Sequence, residues 1–145
     1  MHALAEPATQ PHVLAVDDDP IIRAVILGHF RKRGWPVDAV ADGLEALAWA
    51  TRQRLDIVVT DLEMPGLGGI ELIRRLRQEQ PLARVVVLSG MATLDSAMAC
   101  LGEGAFTLVA KPLGDCAALD RAVDQAAWVL RDWRRQMRRL VGMAR

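Results

Sequence analysis

Cysteine is scarce in this chain, tyrosine is missing, and no apolar stretch is long. Two cysteines, Cys100 and Cys116, among 145 residues make neither a disulfide framework nor the paired spacing of a zinc site. No apolar run approaches the ~20 residues that cross a bilayer, so no membrane span is expected. The opening stretch MHALAEPATQPH lacks the positive end and apolar core of a secretory signal. The expected setting is therefore the cytoplasm, with reduced thiols. Net charge is zero. With 52% hydrophobic and 25% charged residues, the composition is that of a folded globule and excludes a disordered acidic or basic chain. One domain of this length buries roughly 70% of the surface its unfolded chain exposes, so it needs no covalent staples.

The zero conceals an asymmetry. From Arg131 onward six arginines face one acid, Asp132, so the tail is basic and the preceding residues are acidic by the same margin. A solvated helix end accounts for such a tail. Nucleic-acid contact is the sharper reading, and it is disfavoured because no base-reading helix-turn-helix follows.

What is present is periodicity. Five short apolar runs recur: His12–Val16, Val37–Val40, Ile57–Thr60, Val85–Leu88 and Phe106–Val109. Each precedes a stretch with apolar residues three and four apart, such as Leu44, Leu47 and Ala48, or Ile70, Ile73 and Leu76. These stretches begin near Pro20, Gly43, Gly69, Thr93 and Asp115. Pro20 suits a first helical turn with Asp19 as its N-cap, and Gly34 and Gly104 suit helix ends. Strands alternating with helices predict βαβ units and a parallel sheet covered on both faces. The expected organisation is a disordered leader over 1–11, a domain over 12–128 and an extension of the last helix over 129–145.

In an open parallel sheet, chemistry sits beyond the carboxyl ends of the strands. The first run ends in Asp17-Asp18-Asp19, the third in Asp61 followed by Leu62-Glu63-Met64-Pro65-Gly66, the fourth in Ser89-Gly90 and the fifth in Lys111-Pro112. Three carboxylates, a hydroxyl and an ammonium are thus expected at one sheet edge. Two like charges ~5 Å apart repel by about 3 kcal/mol at an effective dielectric of 20, so such a cluster calls for a cation. An all-oxygen set without His or Cys suits Mg²⁺. Beside that ion and a lysine, a carboxylate can attack a phosphoryl group and form an acyl phosphate. Asp61, alone at the end of the expected central strand, is the best nucleophile.

These motifs, Val-Asp-Asp-Asp-Pro at 16–20, Thr-Asp-Leu-Glu-Met-Pro-Gly-Leu-Gly-Gly at 60–69, Leu-Ser-Gly at 88–90 and Ala-Lys-Pro at 110–112, resemble the receiver domain of two-component response regulators. The likeness covers about residues 12 to 128. It implies a flavodoxin-like (βα)5 doubly wound fold with strand order 2-1-3-4-5. It also implies that Asp61 accepts phosphate from a histidine kinase or histidine phosphotransfer protein. Asp18 would bind Mg²⁺ directly, Asp17 mainly through water, and Glu63 through its backbone carbonyl. Ser89 and Lys111 would hold the phosphoryl group, and the bond before Pro112 is expected to be cis.

Three rival readings are weaker. An aspartate-nucleophile phosphatase would want a second acid two residues after the nucleophile, which Glu63 matches imperfectly. A nucleotide or flavin carrier would want glycines or hydroxyls after the first strand, where this chain has three acids. A receiver that is not phosphorylated, acting as a protein-interaction module, would have no need of the complete acceptor set.

Two features depart from the resemblance or extend it. Members of the family often carry Tyr or Phe three residues before the lysine, and here Leu108 stands there. Phe106, two residues earlier and expected on the same strand face, either substitutes for it or makes ordinary core or surface packing. Beyond the last strand, helical spacing runs from about Asp115 to Leu140. Leu119, Val123, Ala126, Leu130, Trp133, Met137 and Leu140 follow a 4-3 alternation, a heptad seam. Its second half is expected to project past the sheet with Trp133 and Met137 exposed. It would then end as an amphipathic tail, form a homodimer or lead to an output domain.

Overall fold

A computed structural model describes residues 10–91 and 93–143. The leader expected over 1–11 lies, as far as residue 9, outside the described residues. Of its remainder, Pro11 is buried and Gln10 accepts a hydrogen bond from Arg131.

Strands β1 (Val13–Val16), β2 (Val37–Val40), β3 (Ile57–Asp61), β4 (Arg84–Ser89) and β5 (Thr107–Ala110) alternate with helices α1 (Pro20–Lys32), α2 (Gly43–Arg52), α3 (Gly69–Glu79), α4 (Leu94–Glu103) and α5 (Ala117–Met143). The strands form one sheet in the order β2-β1-β3-β4-β5. Every pairing is parallel, with Val16 beside Val40 and Thr60, Asp61 beside Leu88, and Ser89 beside Ala110. This is the doubly wound (βα)5 architecture expected above, with a long last helix.

The continuous apolar strands are explained by two cores, one on each face. Val13, Ala15, Ile57, Val59, Val86, Leu88 and Val109 pack with Ile26 and Phe30 of α1 and with Leu119, Val123 and Ala126 of α5. Their neighbours Leu14, Val16, Val58, Val85 and Val87 point the other way, onto α2, α3 and α4. Each fully buried aliphatic side chain contributes roughly 1.5–3 kcal/mol, so alternate residues of one strand hold opposite helical layers. Cys100 and Cys116 are free and buried, and burial pushes both thiols up.

Local signals stop and start the helices as their chemistry requires. Asp19 accepts from the Ile21 N–H at 2.8 Å before Pro20 opens α1. Thr93 and Ser96 form a reciprocal capping box on α4, and Gly104, at φ +114°, ends that helix. Gly69 has another task. A Cβ there would lie 2.7 Å from the Asp61 carbonyl oxygen and 2.9 Å from the Leu62 Cα, so only glycine lets α3 begin against the end of β3.

Strand β5 corrects one expectation. The ladder begins at Thr107, one residue later than the apolar run suggests. Phe106 packs with the α1 and α5 core, whereas Leu108 packs with the α2, α3 and α4 core. The two do not share a face, because Phe106 precedes the regular alternation of the strand. Phe106 is half-buried against the α1 and α5 core and does not stand in for an aromatic at position 108.

Candidate functional site

Five parallel strands deliver their carboxyl ends to one edge, and polar residues at the ends of β1, β3, β4 and β5 converge there. Asp17 follows β1 and is 1% exposed; Asp61 ends β3 and is also buried; Ser89 ends β4; Lys111 follows β5. Carboxylate oxygens of Asp17, Asp18 and Asp61 all lie within 4.8 Å of one another, with Asp18 exposed to solvent.

The Lys111 ammonium bridges this cluster, donating to Asp17 Oδ2 at 3.0 Å and lying 3.5 Å from Asp61 Oδ1. The peptide bond between Lys111 and Pro112 is cis, as expected. Asp17 Oδ1 accepts the Asp19 backbone N–H at 2.9 Å. Ser89 Oγ accepts the Met91 N–H at 3.3 Å. A cleft of about 210 Å³ opens onto this edge, lined by Asp61, Glu63, Ser89, Gly90, Met91 and Lys111. Asp61, Glu63, Ser89 and Lys111 thus line one cleft, and Asp17 and Asp18 adjoin it through Asp61.

Electrostatics follow from the crowding. Burial pushes the Asp61 carboxyl up, against the pull of the Lys111 ammonium, and the neighbouring Asp17 charge pushes it further. The Glu63 backbone N–H opposes this, but the net direction is upward. Burial pushes Lys111 down, yet the hydrogen bond and charge of Asp17, joined by Asp61, outweigh it and raise the ammonium overall. One lysine thus offsets part of a three-acid cluster and leaves an excess of negative charge. Hard oxygen donors, a net negative field and an exposed third carboxylate fit a hydrated Mg²⁺ ion. Asp17, Asp18 and Asp61 are the side chains that would hold it.

The rest of the site is hydrophobic or exposed. Glu63 and Met91 stand at the rim, and Gly90 leaves the approach to Asp61 open. On α4 an exposed apolar stripe, Leu94, Met98 and Leu101, starts next to Met91. One participant escaped the sequence reading: Arg23 of α1, whose guanidinium reaches the backbone of Asp17.

Residues 13–124 match the family described as the response regulator receiver domain. Among similar proteins, the sporulation initiation phosphotransferase F of Bacillus subtilis is 35% identical over 100 residues, covering 69% of this chain and 81% of its own. The probable transcriptional regulatory protein TcrX of Mycobacterium tuberculosis is also 35% identical over 100 residues, covering 69% of this chain and 43% of its own. This chain spans less than half the length of TcrX and of the transcriptional regulators PfeR and GlrR. Among solved structures, the Vibrio cholerae chemotaxis protein CheY4 superposes with a TM-score of 0.76 at 27% identity, covering 81% of this chain and 99% of that one. The response regulator TrrA of Thermotoga maritima, solved in complex with Mg²⁺ and BeF, gives 0.72 at 27% identity over 80% of this chain and 98% of that one. The sheet order, the acids at the strand ends and this match agree: the chain belongs to the response regulator receiver domain family, phosphoacceptor modules of two-component signalling rather than catalytic enzymes.

Proposed function

We propose that this receiver takes a phosphoryl group onto Asp61 from a histidine kinase or a histidine phosphotransfer protein, in a Mg²⁺-dependent step. The carrying observation is the Lys111 ammonium set between Asp17 and Asp61, with Asp18 completing a set of carboxylates within ligand distance. An Asp61 carboxylate oxygen attacks phosphorus, the bond from phosphorus to the donor nitrogen breaks, and the electron pair leaves with the imidazole. Bound Mg²⁺ would neutralise charge on the transferred oxygens. Asp17, Asp18 and Asp61 would hold the ion, with the Glu63 backbone carbonyl as a further ligand. Lys111 pairs with one phosphoryl oxygen and Ser89 turns its hydroxyl toward another. The Mg²⁺ and BeF complex of TrrA and the phosphotransferase name of the Bacillus relative support this reading.

Phosphorylation then alters a protein-interaction surface built from α4, β5 and α5. Leu94, Met98 and Leu101 support that choice, since they expose one apolar stripe on α4 beside the cleft. The recipient is a downstream protein or an output domain of a longer chain, and a homodimer through α5 belongs to the same reading. Two buried free thiols, and no described helix long and apolar enough to cross a membrane, accord with a cytoplasmic setting.

Intact-mass measurement after treatment with a small acyl-phosphate donor and Mg²⁺ tests the acceptor. The wild type is expected to gain one phosphoryl group and Asp61→Asn none. An unmodified wild type would leave a receiver that acts only as an interaction module.

A further inference from the structure

Arg23 sits in the first turns of α1, half-buried, and its Nη1 donates to the backbone carbonyl oxygen of Asp17 at 2.7 Å. Asp17 lies just past the end of β1, where no strand neighbour takes over its carbonyl. Among the described residues, that oxygen is served by the guanidinium of Arg23. Arg23 forms no ion pair with a carboxylate there, unlike Arg33, Arg74 and Arg134. A charged side chain is thus spent on a main-chain atom inside the acidic cluster.

Asp17 is consequently tied at three points. Its Oδ1 accepts the Asp19 N–H at 2.9 Å, its Oδ2 accepts Lys111 at 3.0 Å, and its carbonyl accepts Arg23. The first two ties set the carboxylate. The third sets the peptide between Asp17 and Asp18, and with it the direction in which Asp18 leaves the strand. Asp18 is the exposed member of the triad and has no such anchor of its own among the hydrogen bonds described. An arginine suits this task because its planar fork keeps a fixed geometry and its charge strengthens the bond to the carbonyl.

We propose that Arg23 is a positioning residue for the cation site: it holds the Asp17–Asp18 peptide so that both carboxylates face Asp61. This rests on the pocket being a Mg²⁺ site, as argued above. The alternative role, simple charge balance, predicts the opposite sign. A cation placed beside three acids competes with Mg²⁺, so removing it would tighten binding. Removing a support that orients the ligands weakens binding instead. Outer partners of metal ligands are typically worth roughly 10–100-fold in affinity. Since Asp19 and Lys111 also hold Asp17, a loss of about fivefold to tenfold is expected here.

The test is a titration of the isotope-labelled full chain with MgCl₂, followed through backbone amide signals in two-dimensional NMR spectra. The same spectra report whether each variant is folded. Arg23→Met is expected to bind Mg²⁺ about fivefold to tenfold more weakly than wild type, and Arg23→Lys to fall between them. Equal or tighter binding by folded Arg23→Met overturns the inference. Should Arg23→Met fail to fold, Arg23→Lys decides alone: weaker binding sustains the inference and unchanged binding overturns it. A wild type that binds no Mg²⁺ removes the metal-site reading itself, an outcome separate from equal affinities in wild type and variant.

Discussion

At the scale of single residues the site is a balance struck at the expense of stability. Burial and the charge of Asp17 raise the Asp61 carboxyl above its ordinary value, although Lys111 and the Glu63 N–H pull the other way. An acid whose pKa is higher folded than unfolded is held more favourably protonated than ionised. Ionised Asp61 therefore costs stability at neutral pH, and the cost fades as pH falls through its raised folded pKa toward 3.8. Asp61→Asn keeps the shape and removes the charge. Without Mg²⁺ at pH 7 it is expected to melt higher than wild type, because the unfavourable buried charge is gone. The gap should narrow near pH 4 and also with Mg²⁺, which stabilises the wild type by binding its folded form. Thermal unfolding followed by circular dichroism measures all three. A variant that melts at or below the wild type in Mg²⁺-free buffer at pH 7 would contradict the balance described.

At the scale of elements, the acceptor is held by the close approach of α3 to β3. Gly69 brings the helix start against the Asp61 and Leu62 backbone, where an added methyl would meet main-chain atoms that have no rotamer to give. Gly69→Ala is expected to cost about 2–3 kcal/mol, as overpacking of a tight contact does. It should also slow modification of Asp61 by an acyl-phosphate donor, because the strand end must shift. Urea unfolding and intact mass check the two effects. Most of this arrangement is legible in the sequence. Runs such as Val85–Leu88 are apolar on both faces because both faces are covered, and that fixes where each strand ends and so which polar residues reach the edge. Three things were not legible, each for a physical reason. The start of β5 depends on which residue first joins the ladder, and one residue of difference sends Phe106 and Leu108 to opposite cores. Arg23 reaches a backbone oxygen, and side-chain reach leaves no trace in periodicity. The pairing of Arg134 with Asp56 joins residues 78 apart, and only the packed direction of α5 brings them together.

At the scale of the whole molecule, that last contact governs what α5 does beyond the sheet. The helix has 27 residues, roughly 40 Å at 1.5 Å per residue. Leu119, Val123, Ala126 and Leu130 are buried on the sheet, and the same seam continues through Trp133, Met137 and Leu140, which are exposed. Arg134 anchors the overhang to buried Asp56, which also accepts the His12 N–H at 2.9 Å. At 100° per residue Arg131, Arg135, Arg138 and Arg139 project well away from the seam, so two copies can close it without placing these arginines face to face. Three half-exposed side chains supply much less than the ~800 Å² per partner of a stable interface. The expected dimer is therefore weak, visible as a rise in sedimentation coefficient with concentration, and strengthened if beryllofluoride reshapes the neighbouring α4 and β5 surface. Leu140→Glu puts a charge on the seam and should abolish the rise. Arg134→Ala leaves Asp56 without its helix partner, so it should speed amide exchange after residue 131 and lower the rise without unfolding the sheet. A sedimentation coefficient that stays monomeric at high concentration, both with and without beryllofluoride, would leave the seam free for a different chain.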